Sequence, residues 1–211
     1  MFHPNKIVKY LVLSDLAFWT GWGLLTPVFA IFIIGNIQGG NAFVVGIASA
    51  VFWISRSIFI VPISALIDSS ASEKDDYFVL IAGLFVASLV SFGYIFASLP
   101  WHIYLLQAIY GLGLAMAYSG WAGIFTRHID HGHESTEWGF NATAVGLGTG
   151  LAGALGGWAV TNYSFEMVFI AVGSLSFIGT VILFGLKGSI KSSSAHGTSF
   201  SAKEKHSNGH H

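Results

Sequence analysis

Cysteine is absent from this chain, which excludes disulfides, thiol catalysis and cysteine metal sites. Charge is nearly as scarce: 9% of residues are Asp, Glu, Lys or Arg, against 54% hydrophobic and 15% aromatic. A soluble chain of this size would lack the polar surface to cover itself, so the composition points to a bilayer as solvent and partner. The net charge of −1 identifies no partner class, and without a basic patch nucleic acid is excluded. Chemistry is missing too. No nucleophile elbow, no metal-spaced His-Glu pair on a span and no phosphate-binding glycine loop is found, so neither an enzyme, nor a cofactor, nor a metal site is expected.

What is present is a series of long apolar runs, at 8–34, 42–67, 77–98, 101–125, 138–160 and 165–186. At about 1.5 Å per residue each covers the roughly 30 Å of hydrocarbon in a bilayer. The expected fold is therefore all-α, a polytopic membrane protein with six transmembrane helices. Lys6, Lys9, Lys74, Arg127, Lys187, Lys191, Lys203 and Lys205 fall on the termini and on every second connection. The alternate connections, 35–41, 99–100 and 161–164, have no Lys or Arg. The positive-inside rule then makes both termini cytoplasmic, in a multi-pass protein of the cell (inner or plasma) membrane. The first run is too long for the apolar region of a cleaved leader and is read as a retained span.

Residues 1–187 form the expected membrane domain. Residues 188–211 turn to Ser, Gly, His and Lys and are expected to be a disordered tail. The tail histidines His196, His206, His210 and His211 are too loosely spaced to argue for a metal. His128, His131 and His133, beside Asp130 and Glu134, read as a solvated loop, since surface histidines next to carboxylates are common.

Charges inside a membrane are costly and are functional candidates by default. Asp15 lies roughly 11 Å into the first span and Arg56 roughly 18 Å up the second from the same side, a separation in depth that long side chains can bridge. They are read either as a structural ion pair or as a proton or cation site at Asp15 whose affinity changes when Arg56 moves. Gln107, Trp19, Trp22, Tyr110, Tyr118 and Trp121 are the candidate cavity lining from spans one and four; bundle packing or an interfacial position is the ordinary fate of any one such aromatic. Gly146 with Gly150, and Gly153 with Gly157, give small-xxx-small faces on span five that allow close helix packing. Gly21, Gly23, Pro27 and Pro62 mark places where spans one and two can bend.

Three stretches carry a family resemblance. Span two ends Ser64-Ala65-Leu66-Ile67-Asp68, before a loop containing Lys74. Span four contains Gln107-Ala108-Ile109-Tyr110-Gly111. Span five places Gly148, Ala152, Gly153, Gly156 and Gly157 on a glycine-rich spacing. Together these resemble the span-two, span-four and span-five motifs of the major facilitator superfamily, with Ser64 at a glycine position, Gln107 at an arginine position and Ala152-Gly153 at a Gly-Pro position. The resemblance implies one six-span half of a fold that normally has two, related by an axis along the membrane normal, with substrate between them. A lone half would expose its cavity face to lipid, so a homodimer, or pairing with a second six-span half, is expected. The resemblance also implies a cytoplasmic gate in which Asp68 pairs with Arg127, helped by Lys74 and Glu137. The expected function is secondary transport of a small solute by alternating access, with proton coupling through Asp15. A non-transporting membrane subunit that keeps the fold, and an excised half of a longer transporter, are the other readings.

Overall fold

The computed structural model describes residues 5–70 and 72–190. Seven helices follow one another: α1 (Lys6–Leu25), α2 (Phe29–Asn36), α3 (Ala42–Asp68), α4 (Glu73–Gly93), α5 (Pro100–His128), α6 (Glu134–Asn162) and α7 (Phe165–Ile182). Short 3₁₀ turns, Tyr94–Phe96 and Leu183–Leu186, extend α4 and α7, and no strand occurs among the described residues. The tail from 191 onward, with its histidines and lysines, lies outside the described residues. Ile190 closes the described part and is packed against the core.

Five helices, α3 to α7, are each long and apolar enough to cross a membrane. The predicted first span is not one continuous helix. It is split into α1 and α2, which pass the same test only as a pair bent by 41°. The break at residues 26–28 contains Pro27, which has no N–H to carry the ladder forward, and the chain re-enters helix one residue after Val28 donates to the Leu25 carbonyl at 3.0 Å. Pro62, by contrast, sits inside an uninterrupted α3. Three starts are sharply signalled. Asn5 and Asn41 each accept from the first-turn amides of α1 and α3, and Pro100 opens α5.

The helices pack in an arc: α3 on α5, α5 on α4, α4 on α7, α7 on α1 and α1 on α6. A lighter contact between α1 and α5 closes the middle. Backbones meet where glycine permits it. Gly83 of α4 and Gly113 of α5 face each other, and a Cβ on Gly113 would stand 3.0 Å from the Gly83 carbonyl oxygen. The ends of the arc, α3 and α6, are the least covered, with 11% of their apolar windows buried against 61% for α5.

Connections sort cleanly between the two ends of the bundle. Gln38 donates to the Ser98 carbonyl, which joins two of the loops that lack Lys and Arg. At the other end Asn5 donates to the His128 carbonyl and the Tyr77 hydroxyl to the Leu183 carbonyl, so the starts of α1 and α4 and the ends of α5 and α7 cluster there. Lys6, Lys9, Lys74, Arg127 and Lys187 all belong to this terminal end. Arg56 is the exception among the described basic residues.

Candidate functional site

Two cavities open on the concave side of the arc. The larger, about 480 Å³, is walled by rings: Trp22 stacks on Tyr110 at 3.9 Å between centroids, and Phe52 stacks on the same tyrosine at 5.0 Å. Trp19, Trp53, Arg56 and Gln107 complete its working surface. We call it the aromatic cavity. The smaller, about 270 Å³, lies nearer the terminal end and is lined by Asp15, Tyr118, Trp121, Trp138 and Asn141; we call it the acidic cavity. Trp19, Arg56 and Leu114 line both and therefore form the partition.

Arg56 is held in place by its backbone. Gly111 lacks a side chain where α3 crosses α5, and a Cβ there would come within 3.0 Å of the Arg56 amide nitrogen. The neighbouring Ser55 hydroxyl donates to the Ala108 carbonyl at 2.7 Å, which pins the same crossing. With its Cα fixed, the guanidinium lies over two rings, 5.5 Å from the Trp53 centroid and 5.3 Å from that of Tyr118. Its Nε is buried and has no hydrogen-bond partner.

Asp15 does not pair with Arg56, contrary to the first of the two readings offered for these charges. Its Oδ2 accepts from Asn141 Nδ2 of α6 at 3.3 Å. The two charges share the acidic cavity without closing on each other. Depth along the helices placed Asp15 and Arg56 in one region, but it carried no information about which helix stands beside α1. Asn141 was therefore missed, although a polar amide within an apolar run was a readable signal.

The model of the Major Facilitator Superfamily matches residues 11–206. The chain belongs to the major facilitator superfamily. No curated protein matches it. At 211 residues its size fits one half of a two-half transporter of this superfamily.

In this major facilitator chain the ion pairs at the terminal end differ from the expectation. Arg127 pairs with Asp76 of α4, and its Nε lies 3.9 Å from Glu73 Oε1; Asp68 is exposed and is not its partner. The end of α5 lies against the first turn of α4, where Gly120 abuts the backbone of Asp76, and α5 also packs on α3. His128 adds an Nδ1 contact of 3.1 Å to Glu73 and one of 3.0 Å to the Ile124 carbonyl. Lys74 is exposed and makes no ion pair among the described residues. Glu137 is fully buried and makes no ion pair with Arg127. At the end of α3 the Ser64 hydroxyl instead bonds that of Ser119 on α5 at 2.8 Å.

The expected packing face of α6 also needs correction within the chain. Gly146, Gly150 and Gly157 have open space where a Cβ would be, and Gly153 only grazes α1 through the Gly23 carbonyl at 3.7 Å. The face that meets α1 is Gly148, Ala152 and Gly156, three small residues four apart, opposed by Gly23, whose own Cβ would lie 2.8 Å from the Thr149 carbonyl oxygen. Those positions belong to the superfamily-like spacing of span five.

Proposed function

We propose that this chain is one six-span half of a secondary transporter of a small solute, working as a homodimer by alternating access with Asp15 as its proton site. In this reading α1 and α2 cross the membrane together, both termini are cytoplasmic, and the protein lies in the cell membrane. The observation that carries it is a small group of polar and charged side chains on an otherwise apolar concave face. Asp15, Arg56, Gln107 and Asn141 converge on a surface that one chain leaves open between α3 and α6. Hydrocarbon against those groups is costly, so a second bundle covers them and encloses the two cavities.

A two-fold axis parallel to the helices sets each α3 against the partner's α6, because rotation brings opposite edges of the arc together. The chemistry of the two edges fits such a contact. Exposed Trp53, Ile54 and Ile58 on α3 are bulky, whereas Gly146 and Gly150 on α6 leave an open strip. The absence of native cysteine makes the test direct. Ile54 and Leu147 both stand about 20 Å from the terminal end of their helices. Differently tagged Ile54→Cys and Leu147→Cys chains, co-expressed and oxidised in native membranes, should give a cross-linked heterodimer. A mixed sample that stays monomeric at every pairing of positions along α3 and α6 would remove the homodimeric transporter.

A further inference from the structure

We propose that the transported solute is an organic anion, a carboxylate on an aromatic or aliphatic body, with the carboxylate held by Arg56 and the body in the aromatic cavity. This deepens the transport reading and rests on it. Arg56 carries a permanent charge, and no carboxylate of the described residues pairs with it. Asp15, the carboxylate in the adjoining cavity, accepts from Asn141 instead. Two ring faces offset part of the guanidinium's desolvation, but they leave its planar fork of N–H donors unused, and Nε is a buried donor without an acceptor. A carboxylate matches that fork in geometry and in sign.

The rest of the cavity selects the body. Its volume of about 480 Å³ suits a small molecule, and its wall is mostly apolar, with Trp19, Trp22, Phe52 and Tyr110 among the lining. Few polar groups, among them Thr26, Ser49 and Gln107, accompany them. Arg56 repels an organic cation, and the apolar wall favours a body with few hydroxyls. Because Arg56 lines both cavities, an anion bound there stands at the partition, one step from Asp15.

The 211-residue chain in phosphatidylcholine nanodiscs is titrated with 3-phenylpropionate, 3-phenylpropionamide and 3-phenylpropylamine, with the fluorescence of the cavity tryptophans as readout. The acid should bind saturably, and the amide and amine at least about tenfold more weakly. Arg56→Gln should bring the acid to the level of the amide without changing the amide, and Arg56→Lys should fall between. The wild-type comparison of acid and amide stands without any variant, so a variant that fails to fold does not shield the proposal. Equal binding of acid and amide, tighter binding of the amine, no binding of any probe, or acid binding that survives Arg56→Gln would each overturn it. Repeating the titration with phosphatidylglycerol in the nanodiscs separates the sources of the anion. Unchanged affinity supports a soluble solute, whereas competition by the lipid assigns Arg56 to a headgroup and overturns the proposal. The cross-linking above reads out pairing of the halves whichever probe binds, so an anion failure and a transporter failure are distinguishable.

Discussion

Asp15 and Asp76 are both carboxylates on helices of the same bundle, yet they hold different partners and predict different phenotypes. Asp76 is almost fully covered and its counter-charge is Arg127, itself about half exposed. Arg127→Ala strands a buried carboxylate and should lower stability in detergent by about 1–3 kcal/mol. Asp68→Ala, which removes an exposed side chain without an ion pair, should stay within about 0.5 kcal/mol of the wild type. Thermal unfolding of the two purified variants decides it: a larger loss for Asp68→Ala would mean that the lock runs through the end of α3 after all. Asp15 is held by a single hydrogen bond from Asn141, and an asparagine in its place can still accept that bond. Asp15→Asn should therefore fold and dimerise normally while proton-driven uptake into proteoliposomes falls to the level of empty vesicles. Uptake that continues at the wild-type rate would take Asp15 out of the mechanism.

At the scale of the helix, α6 presents two glycine faces with opposite consequences for substitution. Gly156 abuts the backbone of Leu24, so Gly156→Val must push α1 away and should destabilise the single chain by about 1–3 kcal/mol. Gly150 has open space, so Gly150→Val should leave the chain's unfolding unchanged and weaken the dimer instead. Unfolding and cross-linking yields measured on both variants separate the two faces, and a Gly150→Val chain that dimerises as well as the wild type would exclude that strip from the interface. The sequence could not choose between these faces. Span five has glycine at 139, 146, 148, 150, 153, 156 and 157, so small residues occur around much of the helix and the choice depends on where α1 stands. Where the physics is local, the reading and the structure agree more closely: five of the helices follow from apolar run length, and Asn5, Asn41 and Pro100 start helices for reasons visible in a few residues. The α1–α2 break lay within one long run, where Gly21, Gly23 and Pro27 marked that a bend was possible without fixing its place. The Arg127 pair was out of reach for the opposite reason, since it depends on α5 lying against α4 over a long separation in sequence.

For the whole molecule, the arc ending in α3 and α6 implies a motion as well as a pairing. If two such arcs face each other about a two-fold axis, rocking them opens one end of the shared cavity as it closes the other. Each α3 flanks the opening and spans about 39 Å from residue 43 to residue 69, so its two ends report the two gates. Two-fold symmetry gives one label per chain a partner at the same position in the other chain, and the lack of native cysteine leaves no background. Phe43→Cys and Ser69→Cys, each spin-labelled and measured by pulsed electron resonance in nanodiscs, should show two distance populations apiece. A condition that lengthens the distance at 43 should shorten it at 69, and Asp15→Asn, by fixing the proton site in its neutral form, should shift both in opposite senses. Distances that lengthen together would describe a dimer loosening rather than alternating. Single, immobile distances at both ends would describe a static pair of bundles, a membrane assembly with the superfamily fold but without its transport cycle.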